Sequence, residues 1–167
     1  MSALAASVGV LLRPMREHDL PAIVAIEARA YEFPWAEPIF ADCLRVGYCC
    51  WSVLAQGELA GYGVLSIAAG EAHLLNLCID PLWQRHGLAR HALQKLQDVA
   101  HSLAATVIFL EVRPSNLAAL ALYYEAGFLQ IATRRNYYPA RVGREDAWVM
   151  SCDLTALHPR AGAGMGN

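Results

Sequence analysis

Apolar positions along the chain follow two periods, and the places where one gives way to the other mark out the elements. Residues 8–15 form an apolar run that reads as a strand. Asp19 is then placed to cap a helix over Leu20–Ala30, with Pro21 in its first turn and Ile23, Ile26 and Ala30 on one face. An aromatic-rich break, Tyr31-Glu32-Phe33-Pro34-Trp35, separates it from a second short helix through Phe40 and Leu44. Residues 50–55 and 59–68 read as a hairpin turning at Gln56-Gly57-Glu58, and Ala69-Gly70 turns the chain into a strand over 72–79. From Leu88 the period lengthens: Leu88, Ala92, Leu93, Leu96, Val99 and Leu103 share one helical stripe. Residues 106–112 are β-branched and aromatic, which predicts a buried strand. Pro114 ends it, Ser115 or Asn116 can cap a helix over 117–126, and Gly127 closes that helix. The last two strands are predicted over 128–133 and 147–153, joined by a link through Arg134-Arg135-Asn136-Tyr137-Tyr138-Pro139. This order predicts a single-domain α/β fold, a mixed sheet with helices on both faces.

The stretch from Asn76 to Arg90 is a strand that feeds a helix start through a short loop. Asp80 precedes Pro81 and is biased toward extended geometry, so the strand runs to its end before the chain turns. The unpaired N–H groups of the helix's first turn and the positive end of its dipole would face that loop and suit a diphosphate. Gly87 would let the backbone approach a ligand closely, and Ala89 is nearly as small. Taken alone, Gln84-x-x-Gly87-x-Ala89 is equally compatible with plain helix packing.

A second concentration of chemistry lies in Leu110-Glu111-Val112-Arg113-Pro114-Ser115-Asn116 and the helix after it. Glu111 ends an apolar strand, where a carboxylate is costly to bury unless it is paired or used. A salt bridge with Arg113 or another base would satisfy it as well as a catalytic role. Asn116 and Tyr123 are seven residues apart and project from nearly the same helical face. Core packing would also account for Tyr123, and the adjacent Tyr124 leaves two candidate hydroxyls. The break around Phe33-Pro34-Trp35 fits a hydrophobic clamp between two helices, substrate contact, or both.

Composition narrows the function classes. The chain's 167 residues fit one domain, taken as 8–154, with a short extension over 1–7 rather than a secretory signal. A Pro-, Ala- and Gly-rich tail over 155–167 lacks apolar periodicity and is expected to be disordered. A formal net charge of −2 offers no broad basic surface of the kind that nucleic acid requires. No apolar run approaches the roughly 18 residues of a membrane span. The five cysteines, at 43, 49, 50, 78 and 152, show no metal spacing, and their odd number points to reduced thiols in a cytoplasm. A cytoplasmic protein without a bound metal is expected, and a monomer.

The run from Gln84 to Ala89 resembles the acetyl-CoA-binding motif of the GCN5-related N-acetyltransferases: Arg or Gln, two residues, Gly, one residue, Gly or Ala. Residues 110–128, LEVRPSNLAALALYYEAGF, resemble the second half of the acetyl-CoA site in that superfamily. Glu32-Phe33-Pro34-Trp35, Leu110-Glu111-Val112-Arg113, the Arg134-to-Pro139 link and Gly143-Arg144-Glu145-Asp146-Ala147 are similar to one bacterial branch of it. That branch acetylates the N-terminal alanine of the eighteenth small-subunit ribosomal protein. The likeness runs from about residue 12 to 154. It implies a seven-stranded mixed sheet splayed between its fourth and fifth strands, here 72–79 and 106–112.

The resemblance also implies roles. Glu111 would match the general base and Tyr123 the general acid. Leu77, Cys78 and Ile79 would offer backbone groups to the pantetheine arm of acetyl-CoA, with the N–H of Cys78 or Ile79 facing the acetyl oxygen. Arg85, His86, Gly87, Leu88, Ala89 and Arg90 would hold the pyrophosphate, and Asn116 would add a further contact. On the acceptor side, Phe33, Trp35, Arg135, Tyr137 and Tyr138 would wall a slot for an extended N-terminus. The implied partners are acetyl-CoA and the N-terminal peptide of a ribosomal protein, without direct contact to nucleic acid or membrane. Two positions depart from the family pattern: Tyr124 stands where relatives often carry Glu, and Pro114 stiffens the strand-to-helix link. Another acceptor, such as other protein N-termini or a small-molecule amine, and a non-catalytic CoA-binding module are the alternatives. Cys78 invites a covalent acyl-cysteine, but no His or Asp spacing marks it as activated.

Overall fold

The computed structural model describes residues 9–157; the expected extension over 1–7 and the tail beyond 157 lie outside the described residues. The chain runs β1 (Val10–Pro14), α1 (Leu20–Ala30), α2 (Glu37–Arg45), β2 (Cys49–Ala55), β3 (Glu58–Ala68), β4 (Glu71–Ile79), α3 (Leu88–Ser102), β5 (Val107–Val112), α4 (Leu117–Glu125), β6 (Leu129–Pro139), β7 (Arg144–Asp153) and α5 (Leu154–Leu157). The strands form one seven-stranded sheet in the order β1-β2-β3-β4-β5-β7-β6. β4 and β5 are its parallel pair, as a crossover through α3 requires, and the other neighbours are antiparallel.

The β4–β5 ladder is short. It pairs Glu71 with Val107 and ends where Leu74 faces Leu110, so the last five residues of β4 run on without β5. The cause lies on β4's other edge. Its register with β3 passes from Asn76 opposite Val64 to Leu74 opposite Leu65, which leaves Leu75 as an extra residue. Such a bulge bends and twists its strand, and here it turns β4 away at the point where pairing with β5 stops. The splay between the fourth and fifth strands is therefore built into local register.

Helices cover both faces. α1 and α2 bury Ile23, Ile26 and Phe40 against Tyr62, Val64 and Cys78. On the other face α3 and α4 bury Leu93, Leu96, Leu120 and Tyr123 against β5, Met150 and Cys152. A smaller cluster joins Leu88 and Ala92, at the start of α3, to Val53, Ala60 and Ile79. Each fully buried aliphatic side chain of this kind contributes about 1.5–3 kcal/mol relative to exposure.

Four local expectations change. Leu103 falls past the end of α3 and is exposed, while Ala100 and Gln97 complete the buried stripe. The Asp19 side chain does not cap α1; it is held by Arg13 through two 2.7 Å hydrogen bonds and accepts from the Arg16 N–H and the Ser52 hydroxyl. Residues 155–157, expected in the tail, complete the α5 turn, with Leu154 beside them fully buried. The link through Arg134 to Pro139 is strand: β6 continues to Pro139, and the connection to β7 is residues 140–143. β6 resisted prediction because it is an exposed edge strand, interrupted by extra residues opposite β7 between Arg134 and Tyr138.

Candidate active site

Past Leu74 and Leu110 the two halves of the sheet part around a cleft of about 1160 Å³. Residues 74–79 of β4 form one wall, and Leu110, Glu111 and Val112 of β5 with the following Arg113 form the other. The start of α3, the cleft-facing side of α4, the 30–35 segment and residues 138–141 enclose the rest.

Main-chain direction along β4 follows from its partners. The Asp80 N–H donates to the Ala60 carbonyl at 2.7 Å, which fixes the phase of the β3–β4 ladder. Cys78 then faces Tyr62 with its main-chain groups on β3, and those of Leu77 and Ile79 turn to the open side. Side chains reach the same open groups: the Tyr31 hydroxyl donates to the Leu77 carbonyl at 3.0 Å, and the Gln84 amide to the Ile79 carbonyl at 3.2 Å. Of the two N–H groups expected to face an acetyl oxygen, that of Ile79 is on the cleft side and that of Cys78 is committed to β3. Gly61 makes this packing possible, since a Cβ there would sit 2.3 Å from the Cys78 carbonyl oxygen.

At the end of β4, Asp80 is buried, pairs with Arg29 at 2.6 Å and accepts from the Leu82 N–H. The loop then takes left-handed geometry twice, at Arg85 (φ 66°) and at Gly87 (φ 76°), the residue that opens α3. A Cβ on Gly87 would meet nothing within 4 Å, so the space before the helix start is open to a ligand. Arg85, Gly87, Leu88, Ala89 and Arg90 line the cleft; Leu88 is buried and Arg90 is paired with Glu125 of α4. His86 does not line it, and its ring nitrogen turns back to the carbonyls of Trp83 and Gln84. Gln84, first residue of the motif, anchors the loop to β4. These features fit a diphosphate held by main-chain N–H groups and the helix end.

Glu111 lines the cleft with only 11% of its side chain exposed. Its partner is not Arg113, which pairs instead with Glu145 at 3.2 Å. His73 of β4 donates to Glu111 Oε2 at 2.5 Å, and the Arg134 guanidinium stands 3.5 Å from Oε1. The His73 hydrogen bond, more than the nearby charges, holds the carboxyl below its ordinary range, against the opposing effect of burial. Sequence reading missed His73. Its signal was a histidine in a mostly apolar strand, but placing it beside Glu111 needs the parallel register that sets it opposite Phe109.

Tyr123 lines the cleft, and its ring packs on Phe128. Burial, then the neighbouring Cys78, pushes its phenol up to about 12. Tyr124 is 46% exposed and does not line the cleft. Asn116 lines the cleft and caps α4, accepting from the Ala119 N–H at 3.1 Å. Cys78 is buried, and burial pushes its thiol up to about 11, which leaves it protonated and a poor nucleophile at neutral pH.

At the far end, Arg113 lies between two rings, 4.4 Å from the Tyr138 centroid and 5.5 Å from that of Phe33. It also donates to the Pro139 carbonyl at 2.9 Å, tying β5 to the end of β6. Arg141 reaches Glu32 at 2.5 Å and so joins the 140–143 loop to the 31–35 segment. Phe33, Trp35 and Tyr138 line the cleft; Arg135 and Tyr137 do not, because the irregular stretch of β6 turns them outward. A second group unforeseen from sequence is Glu27, a buried carboxylate at the cleft wall. It accepts from the Tyr62 hydroxyl, from Asn76 at 3.2 Å and from the Trp35 N–H at 3.1 Å, and so fixes the entry to the Phe33–Trp35 segment.

Among the described residues no helix is long and apolar enough to cross a membrane, and no group of three His, Cys, Asp or Glu could hold a metal. Residues 15–128 match the Acetyltransferase (GNAT) family. The [ribosomal protein bS18]-alanine N-acetyltransferase of Escherichia coli K12 is 41% identical over 137 residues, 82% of this chain and 93% of that protein. The enzyme of the same name from Haemophilus ducreyi is 31% identical over 145 residues, 86% of this chain and all of that one. The crystal structure of the Escherichia coli ribosomal-protein-S18-alanine N-acetyltransferase superposes with a TM-score of 0.83 at 36% identity, covering 95% of this chain and 100% of that one. With the splayed sheet and the open helix entrance at Gly87, these matches show that the chain belongs to the GNAT family of acetyltransferases.

Proposed function

We propose that this protein transfers the acetyl group of acetyl-CoA to the α-amine of an N-terminal alanine on a ribosomal protein, counterpart of the protein named for its relatives. The observation that supports this most is the 41% identity to the Escherichia coli enzyme over 137 residues, which spans both walls of the cleft.

In this reading the Gly87 entrance and the open edge of β4 receive the diphosphate and pantetheine, leaving the thioester between Ile79 and Tyr123. The Ile79 N–H faces the carbonyl oxygen as charge develops on it. Glu111 accepts the proton of the incoming α-ammonium, directly or through one water. An α-ammonium releases its proton near 7.7–8.0 and a lysine near 10.4, so the N-terminus is the easier group to activate by roughly 3.5 kcal/mol. Tyr123 acts as a hydrogen-bond donor to the departing sulfur. With its phenol at about 12, full transfer to a thiolate whose acid titrates near 8.5 would be uphill by roughly 5 kcal/mol.

The test is acetylation of a peptide beginning with alanine, in competition with the same peptide carrying a blocked N-terminus and a free lysine. Mass spectrometry should place the product on the alanine α-amine. Acetylation chiefly on lysine would overturn the α-amine reading and leave acetyl transfer standing.

A further inference from the structure

We propose that His73 is a positioning residue for the transfer, whose own protonation tunes the basicity of Glu111. The inference rests on the acetyl-transfer reading above, with Glu111 as the proton acceptor.

Three observations carry it. First, His73 and Arg134 engage different oxygens of the same carboxylate, His73 on Oε2 at 2.5 Å and Arg134 near Oε1 at 3.5 Å. Second, Glu111 lines the cleft and His73 does not, so the imidazole reaches the cleft through the carboxylate. Third, the His73 side chain is 34% exposed against 11% for Glu111, so it can exchange protons with solvent while Glu111 is shielded. Arg134 carries a fixed charge, whereas histidine is the side-chain type able to exist in both a neutral and a cationic form between about pH 5 and 8.

The consequence follows from the sign of that charge. When the imidazole is neutral, the His73–Glu111 pair is a net anion that draws an α-ammonium and can take its proton. When the imidazole gains a proton, the pair becomes a neutral ion pair, and an added cation at this distance lowers carboxylate basicity by roughly 10- to 1000-fold. Both binding of the ammonium and removal of its proton weaken together. The other groups facing the pair do not compensate. Arg134 of β6 is always charged. The Tyr138 phenol, next to Glu111, is pushed up beyond the physiological range chiefly by burial. The strand neighbours of His73, Ser66 on β3 and Phe109 on β5, are uncharged.

Two substitutions bracket the two states of His73. His73→Gln keeps an uncharged N–H donor; His73→Lys supplies a fixed cation. Acetyl-CoA affinity by calorimetry and a thermal melt establish that both variants are folded. Then kcat/KM for one peptide is followed from about pH 5.5 to 8.5 in all three proteins, as ratios, so that the peptide's own ionisation cancels. The Lys variant should lie roughly tenfold below the Gln variant throughout, a reduced effect of one charge on a proton-transfer step. The wild type should move from near the Gln curve toward the Lys curve as pH falls across that interval. Coincident Gln and Lys curves, or a wild-type curve parallel to that of Gln at every pH, would overturn the proposal. The ratios need only a measurable acceptor, whether α-amine or lysine, so failure here is separate from failure of the alanine assignment.

Discussion

Tyr123 packs its ring on Phe128, centroids 5.6 Å apart, and this contact fixes which of two adjacent phenols looks into the cleft. Tyr124 points elsewhere, half exposed. Tyr123→Phe should therefore lower kcat by roughly 10- to 100-fold, the loss of one donor to developing charge, with acetyl-CoA affinity preserved. Tyr124→Phe should stay within about twofold, the range of a surface substitution. Steady-state kinetics on both variants separates the two hydroxyls, and a larger effect at Tyr124 would reverse the assignment.

Glu111→Gln should remove a proton acceptor and keep a polar partner for His73. At neutral pH the expected loss in kcat is roughly 100-fold or more. The deficit should shrink at alkaline pH, where the peptide amine loses its proton unaided. A deficit that stays constant with pH would point to orientation of the substrate instead.

Gly87 opens α3 in left-handed geometry with nothing in front of it. Gly87→Asp would strain the backbone by about 1 kcal/mol and place a carboxylate where the proposed diphosphate would meet the helix end. Calorimetry should show acetyl-CoA affinity reduced at least tenfold, with a melting temperature only a few degrees lower. Unchanged affinity would mean that the diphosphate sits elsewhere.

Asp19 is the buried charge on which the approach to α1 depends. Arg13, the Arg16 N–H and the Ser52 hydroxyl stabilise its ionised form, and the Arg13 hydrogen bond is the main reason its carboxyl is held far below the ordinary range. A depressed carboxyl contributes stability in full above its unfolded value, near 3.9, and loses it as pH falls below that toward the folded value. Asp19→Asn should cost about 3 kcal/mol at neutral pH, since it leaves Arg13 without its partner. Denaturant titrations should show the gap between variant and wild type closing on acidification below about pH 4.

Much of this architecture could be read from periodicity. The change at Leu88 located α3, and the helical phase of Asn116 and Tyr123 placed both on the cleft side of α4. Local signals failed where long-range register decides. No feature of residues 71–79 alone announces the bulge at Leu75, which exists only in the pairing with β3. For the same reason His73 could not be joined to Glu111, and the Ile79 and Cys78 N–H groups could not be told apart. β6 misled for a different reason: exposed on almost every residue, it lacks the apolar alternation by which strands are recognised. Glu27 was hidden because a lone carboxylate on an amphipathic helix ordinarily faces water, and only the fold brings Tyr62, Asn76 and Trp35 around it.

Phe33 and Tyr138 hold the Arg113 guanidinium from two elements far apart in sequence, so a stacked wall spans the cleft between the 31–35 segment and β6. Tyr138→Ala removes the nearer ring and should cost about 1 kcal/mol or more of that stack, since one cation–π contact contributes about 0.5–2 kcal/mol. Its effect should fall on the peptide: KM for an alanine-starting peptide rises roughly fivefold or more, while acetyl-CoA affinity changes little. Arg135→Ala and Tyr137→Ala, which act outside the cleft, should have smaller effects. Arg141→Ala breaks an exposed pair with Glu32, worth at most about 1 kcal/mol and screened by salt. Its KM effect should fade as ionic strength rises, whereas that of Tyr138→Ala should not. If wall residues hold the peptide backbone, Tyr138→Ala should also narrow the preference for an α-amine over a lysine, because orientation rather than amine chemistry alone then loses its support. An unchanged preference together with unchanged peptide KM would remove Tyr138 from the acceptor site.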